Sequence, residues 1–131
     1  MRYLLLVSHA SLADGVREAL EMLMGPRENI VVCGMSAQGG PDAFRADLAE
    51  RLEVLTSLDE VVVLGDIAGG SPLVSTVSML ESLGVAGRFV AFGGLNLPMA
   101  ISALMAIEEG LPLDALRDGV LADGSEAVRQ V

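Results

Sequence analysis

The chain contains a single histidine, His9, which stands between a short apolar run and a segment with helical periodicity. A second polar residue, Asp66, also follows an apolar run directly. A neutral imidazole is nucleophilic near physiological pH, and a carboxylate that accepts a hydrogen bond from one ring nitrogen leaves the other nitrogen free to attack. These two residues therefore indicate nucleophilic chemistry on His9, with Asp66 orienting the ring and stabilising positive charge on it.

The segment GDIAGGSP, residues 65–72, predicts a helix start that is suited to anions. The paired glycines allow a tight turn and a close approach of the backbone, Ser71 is a good N-cap, and Pro72 suits the first helical position. Backbone amides at a helix N-terminus bind phosphate. We expect the Ser71 hydroxyl and the amides of Gly70 and Ser71 to hold the oxygens of a phosphoryl group on His9. Three more residues are expected to line this site: Ser8, Ala68 and Gly69.

Composition excludes several other kinds of site. The net charge of −10 argues against binding to nucleic acid or an anionic membrane surface, and favours a partner with a basic docking face. All eight basic residues are arginine, so the lysine of a phosphate-binding loop or a Schiff base is absent. One histidine and one cysteine cannot form a His/Cys metal cluster, and we expect neither metal nor cofactor. Cys33, in the apolar run IVVCGM, is predicted to be a small core residue.

The elements that position these residues follow from alternating apolar runs and amphipathic segments. Strands are predicted at 3–7, 30–34, 60–65 and 88–92, and helices at 12–24, 41–54, from 72, from about 97 and at 112–121. Strands that are apolar throughout are typical of parallel sheets with helices on both faces. We therefore expect one α/β domain, residues 1–131, with a mainly parallel four-stranded sheet. The segment 126–131 is predicted to add an edge strand, and plain turns are predicted at the opposite edge of the sheet, including 84–87.

Two helix starts near the carboxyl ends of the strands carry polar residues whose role the sequence leaves open. Ser11 is predicted to cap the first helix, with Asp14 in its first turn. Asn96, followed by Pro98, suits a helix cap as well as it suits the lining of the site. No signal peptide and no transmembrane segment are evident in the sequence, so we expect a soluble, cytoplasmic protein.

Three stretches, LLLVSHASLADGVREALEML, GDIAGGSP and GGLNLPMAI, resemble one family. They are similar, in order and spacing, to the EIIA domains of the mannose/fructose/sorbose class of the bacterial phosphoenolpyruvate-dependent sugar phosphotransferase system (PTS). The resemblance implies that His9 is phosphorylated by the carrier protein HPr and passes the group to an EIIB component for sugar uptake. It also places the family's aspartate and serine on Asp66 and Ser71.

The resemblance further implies a homodimer in which the C-terminal strand is exchanged between subunits. This sequence differs from the family pattern in that tail, SEAVRQV, which is less apolar than is typical of an exchanged strand. It also has Ala68 where family members commonly carry phenylalanine, a difference expected to alter the docking surface rather than the chemistry.

Other functions stay open on the sequence alone. The nearest are a regulatory EIIA controlled by phosphorylation and the phosphotransfer subunit of dihydroxyacetone kinase. In a hydrolase, GGSPL would be the nucleophile elbow, but that motif needs glycine at the position where this sequence has Leu73. A dimeric scaffold without chemistry would leave His9 and Asp66 unexplained.

Overall fold

Four apolar runs form the strands of a single sheet in the computed structural model, which describes residues 1–85 and 88–131. The strands are β1 (Arg2–His9), β2 (Ile30–Met35), β3 (Glu60–Gly65) and β4 (Phe89–Phe92). Every pairing is parallel and the spatial order is β2-β1-β3-β4, so β1 and β3 form the centre. The predicted α/β class with a parallel four-stranded sheet is confirmed.

Helices connect and follow the strands. They are α1 (Leu12–Met24), α2 (Gly40–Arg51), α3 (Ser71–Ser82), α4 (Leu97–Glu109) and α5 (Leu113–Glu126), with a 3₁₀ turn at Leu52–Val54 after α2. The predicted bounds of α1 agree with the structure. The predicted second helix is divided between α2 and the 3₁₀ turn, and α5 runs five residues beyond its predicted end.

Both faces of the sheet are buried because successive strand residues point to opposite sides. On one side, Leu4 and Leu6 of β1 pack in a cluster with residues of α1, α4 and α5. On the other, Leu5 and Val7 pack with residues of α2 and α3. Burying each such side chain contributes roughly 1.5–3 kcal/mol, so the central strand that ends at His9 is a rigid support.

The C-terminal edge strand predicted for 126–131 is not formed within this chain. Glu126 is the last residue of α5, and residues 127–131 lie in no helix or strand. The helix continues over its weakly helical end because tertiary contacts hold it: the Gly124 carbonyl accepts a hydrogen bond of 3.2 Å from Asn96 Nδ2, and Ser102 Oγ donates to Asp123 at 2.6 Å. Exchange of this tail between subunits stays a prediction.

Part of one predicted feature lies outside the described residues, namely the turn at 84–87, of which 86 and 87 are not described. Within 1–85 and 88–131, each helix is too short or too polar to cross a lipid bilayer.

Candidate functional site

Two neighbouring strands bring His9 and Asp66 together, as the sequence predicts. His9 is the last residue of β1, and Asp66 directly follows the last residue of β3. The chain passes from β1 to β2 on one side of β1, whereas β3 pairs with the other side. The order in which strands are added to the sheet therefore reverses between β1 and β3. The carboxyl edge at such a switch point is where open α/β sheets bind ligands.

One oxygen of Asp66 accepts two hydrogen bonds from the same residue. The backbone N–H of His9 lies 2.9 Å from Asp66 Oδ2, and His9 Nδ1 lies 2.9 Å from the same oxygen. The other oxygen, Oδ1, accepts from the backbone N–H of Ile67 at 2.9 Å. The carboxylate is therefore fixed at both oxygens, and it fixes the histidine both at its backbone and at its ring.

These contacts also keep Asp66 ionised. Burial by itself would raise the pKa of the Asp66 carboxyl, but the hydrogen bonds from His9 N–H, the His9 ring and Ile67 N–H outweigh burial and lower the pKa below its ordinary value. The side chain is only 11% exposed. An ionised carboxylate can only accept hydrogen bonds, so His9 Nδ1 must carry the proton in this contact.

The same assignment leaves His9 Nε2 with an unshared electron pair. The imidazole is 48% exposed, and Nε2 has no hydrogen-bond partner among the described residues. A ring oriented through Nδ1–H with Nε2 open to solvent can act as a nucleophile, and the carboxylate stabilises the positive charge that forms when Nε2 becomes substituted.

Gly70 lies against the imidazole at Cε1, the carbon between Nδ1 and Nε2. A Cβ placed on Gly70 would be 3.1 Å from His9 Cε1 and 3.2 Å from Ile67. The Gly70 N–H is not available to a phosphoryl group in this conformation, contrary to our expectation, because it donates to the Ile67 carbonyl at 3.0 Å in a tight turn. The contribution of Gly70 is its close approach to the imidazole.

Ser71 is placed where it can bind an anion, but not as the predicted N-cap. Gly70 is the N-cap of α3, and Ser71 is the first helical residue, followed by Pro72. Neither the N–H nor the hydroxyl of Ser71 has a hydrogen-bond partner among the described residues. Both groups therefore remain able to donate, at the positive end of the helix and next to the residue that contacts His9.

The start of α1 is not capped by Ser11, contrary to the prediction. Asp14 lies in the first turn as expected, but the Ser11 side chain makes no capping hydrogen bond. Instead, Ser8 Oγ, in β1, accepts from the N–H of Ala13 at 2.8 Å. Sequence rules miss this contact because a capping hydroxyl normally stands at the N-cap position itself, and Ser8 lies within the strand.

The remaining predicted site residues separate into two groups. Ala68 and Gly69 are exposed in the loop after Asp66, and Ala68 also packs closely against Gly93. Asn96 is a helix cap: its Oδ1 accepts from Met99 N–H at 3.0 Å, and its Nδ2 donates to the carbonyls of Gly94 and Gly124. The side chain of Asn96 is thus occupied by contacts that hold α4 against α5.

Cys33 is a buried thiol, as predicted. It is 1% exposed, and its Sγ lies 3.5 Å from Asp47 Oδ2. Burial, followed by the negative charge of Asp47, raises the pKa of the Cys33 thiol to about 12. A thiol that stays protonated at neutral pH is a poor nucleophile, so Cys33 is a weaker candidate nucleophile than His9.

The chain matches a family model described as the fructose IIA component of the PTS, over residues 3–121. It is 27% identical over 126 residues to the mannose-specific EIIAB component of the PTS from Escherichia coli, a match that covers 93% of this chain. The same match covers 37% of the relative, so this chain spans little more than a third of the length of that curated protein.

Two solved structures with the same fold come from Enterococcus faecalis and Streptococcus agalactiae. The mannose/sorbose specific IIA subunit from Enterococcus faecalis superposes with a TM-score of 0.84 at 27% identity, covering 99% of this chain and 94% of that one. The EIIA component from Streptococcus agalactiae superposes with a TM-score of 0.85 at 24% identity, covering 99% and 97% of the two chains. At 24% identity, the likeness to the Streptococcus agalactiae structure shows a shared fold and nothing more.

Proposed function

The chain belongs to the family of fructose and mannose IIA components of the PTS, and on that premise we propose that it is a phosphohistidine carrier that uses His9. The family supports a role in sugar phosphotransfer. The observation that carries the proposal is the 2.9 Å contact between His9 Nδ1 and Asp66 Oδ2, which leaves Nε2 open beside Gly70 and the start of α3.

The proposed step needs no base. The electron pair of His9 Nε2 forms a bond to the phosphorus of the phosphorylated donor, and the bond from phosphorus to the donor atom breaks, so that the donor keeps that electron pair. The His9 ring becomes positively charged while Nδ1 keeps its proton, and Asp66 stabilises that charge across the same hydrogen bond. Transfer to the next component is the reverse step, with the acceptor atom attacking the phosphorus on Nε2.

Ser71 supplies the groups that would hold the transferred phosphoryl oxygens. Its N–H and hydroxyl have no partners among the described residues, and they lie at the N-terminus of the twelve-residue helix α3. Donors fixed in place before the reaction stabilise charge on the phosphoryl oxygens without reorganisation. We assign the donor as HPr and the acceptor as an EIIB component, both in the cytoplasm, in accord with the family. The net charge of −10 suits partners with basic docking faces.

The other classes have less support. A hydrolase triad would need His9 Nε2 to hydrogen-bond the serine, and no bond between the His9 ring and Ser71 occurs among the described residues. A scaffold without chemistry would gain nothing from an exposed histidine that is fixed at both its backbone and its ring.

Intact-protein mass spectrometry tests the proposal. Wild type is incubated with phosphoenolpyruvate, enzyme I and HPr, beside His9→Ala and the matched control Ser11→Ala, which removes an exposed hydroxyl that caps nothing. We expect one acid-labile phosphoryl group on wild type and on Ser11→Ala, and none on His9→Ala. A folded wild type that gains no mass, or a phosphorylated His9→Ala, would contradict the proposal. Addition of a candidate EIIB, followed by loss of the group, then separates a transport carrier from a switch that only stores phosphate.

A further inference from the structure

We propose that Ser8 is a positioning residue for phosphoryl transfer through His9, an inference that rests on the proposed function of that histidine. Ser8 precedes His9 in β1 and is fully buried, at 0% exposure. Its Oγ accepts from the N–H of Ala13 at 2.8 Å, and its hydroxyl is directed to the carbonyl of Ala10 at 3.4 Å. One hydroxyl thus joins the residue that follows His9 to the first turn of α1.

Ala10 needs such support because its backbone is strained. Its φ of 49° makes it the one non-glycine residue with positive φ in the described part of the chain. A residue with a Cβ rarely adopts this conformation, and it persists only where surrounding contacts impose it. Two contacts besides Ser8 do so: Ala10 N–H donates to the Met35 carbonyl at 2.8 Å, and Gly34 leaves room for the Ala10 carbonyl. A Cβ on Gly34 would lie 2.1 Å from that oxygen.

The turn at Ala10 determines how His9 meets Asp66. His9 must present both its backbone N–H and its Nδ1 to the single oxygen Oδ2. Relaxation of Ala10 toward an ordinary φ would rotate the adjoining peptide of His9 and separate these two donors from their common acceptor. Ser8 therefore acts through Ala10, keeping the ring in the orientation that exposes Nε2, and it does not touch the phosphoryl group itself.

Nitrogen NMR of the imidazole measures this orientation directly, since His9 is the only histidine in the chain. In wild type we expect the proton on Nδ1, and in Ser8→Ala a mixture with the Nε2–H tautomer, together with a phosphoryl-transfer rate that is lower by about tenfold. Ser8→Thr keeps the hydroxyl and should keep the wild-type tautomer. Ile30→Val, which trims a buried side chain at the opposite end of β2, controls for lost stability.

A double-mutant cycle with Ala10→Gly separates positioning from simple capping of α1. Glycine adopts positive φ without strain, so the tautomer shift and rate loss caused by Ser8→Ala should be smaller when residue 10 is glycine. Equal effects of Ser8→Ala in both backgrounds would overturn the proposal. So would a Ser8→Ala protein whose tautomer and transfer rate match those of Ile30→Val. If Ser8→Ala fails to fold, Ser8→Cys, whose thiol is slightly larger than the hydroxyl and accepts hydrogen bonds weakly, takes its place.

The tautomer needs no donor protein, so the two proposals fail separately. A wild type that takes no phosphoryl group refutes the carrier function, while the tautomer shift still decides whether Ser8 orients the ring. If wild type is phosphorylated and Ser8→Ala has the wild-type tautomer, the carrier function is supported and the role of Ser8 is refuted.

Discussion

The backbone nitrogen and the Nδ1 of His9 both lie 2.9 Å from Oδ2 of Asp66, so one carboxylate oxygen fixes the residue at two points. A side chain held only at its ring could rotate about its own bonds and still keep that contact. Adding the backbone contact removes this freedom, because the main chain of β1 and the ring must be correct at the same time. The arrangement links the rigidity of the central strands to the orientation of the His9 imidazole.

Loss of the Asp66 charge should impair transfer more than folding. In Asp66→Asn an acceptor oxygen remains, but the positive ring formed on phosphorylation loses its counter-charge, and we expect the transfer rate to fall on the order of a hundredfold. Single-turnover transfer from phosphorylated HPr measures the change. Asp14→Asn, which removes an exposed carboxylate in the first turn of α1, is the matched control and should retain the wild-type rate. Equal rates for the two variants would contradict the role of Asp66.

The lowered pKa of Asp66 predicts a dependence of stability on pH. A carboxyl whose pKa is lower in the folded than in the unfolded state stabilises the fold above the unfolded value, and this stabilisation is lost as the pH falls through the folded value. The free energy of unfolding of wild type, relative to Asp66→Asn, should therefore decrease as the pH falls from about pH 5 to below about pH 4. Urea unfolding of both proteins across this range tests the sign. A difference in unfolding free energy between the two proteins that instead grows below about pH 4 would show that folding raises the pKa of Asp66.

The sequence sufficed to predict the strands and the meeting of His9 with Asp66, because these follow from simple periodicity. Parallel strands that are apolar throughout must be covered on both faces, and their carboxyl ends must share one edge of the sheet. Two polar residues that each end such a strand are then neighbours whenever the two strands are adjacent. Here β1 and β3 are paired.

What the sequence could not reveal depends on which hydrogen-bond partner each group takes. The hydroxyl that holds the start of α1 is that of Ser8, within a strand, rather than that of Ser11. The paired glycines predict a tight turn, but they do not show that the Gly70 N–H is used within it, as a donor to the Ile67 carbonyl. Helix α5 continues through Asp123 and Gly124 despite their low helix propensity, because α4 and the loop before it bind both. The error in α5 reflects local propensity overridden by packing.

The C-terminal tail is expected to mediate dimerisation, as the family resemblance implies. Residues 127–131 lie outside the helices and strands of the chain, and β4 forms an edge of the sheet. Deletion of 127–131 should therefore convert a dimer to a monomer while leaving the fold intact, measured by light scattering and circular dichroism. The double substitution Arg2→Gln with Glu60→Gln, which removes a partly buried ion pair between the starts of the central strands β1 and β3, should leave the dimer unchanged. A monomeric wild type, or a deletion variant that is still dimeric, would contradict the exchange.

Alanine substitutions at two adjacent glycines, Gly69 and Gly70, test whether the space beside the His9 imidazole matters for transfer. A methyl group on Gly70 would lie 3.1 Å from His9 Cε1 and 3.2 Å from Ile67, whereas a methyl group on Gly69 would meet nothing within 4 Å. Gly70→Ala should therefore displace the imidazole from its position against α3 and slow phosphoryl transfer by about tenfold, while Gly69→Ala should keep the wild-type rate. Both variants place alanine at an ordinary backbone φ, so neither carries the penalty of a left-handed conformation.

The comparison is made on transfer rate and on the free energy of unfolding together. Crowding of the ring predicts a larger effect of Gly70→Ala on the rate than its loss of stability explains, and a shifted Cε1–H proton resonance of His9 in the NMR spectrum. If both alanine variants transfer at the wild-type rate, the neighbours of residue 70 accommodate the added methyl group, and the close approach of Gly70 has no part in the reaction. If Gly69→Ala is the slower of the two, the phosphoryl group must be held by the exposed loop at 67–69 rather than by the start of α3.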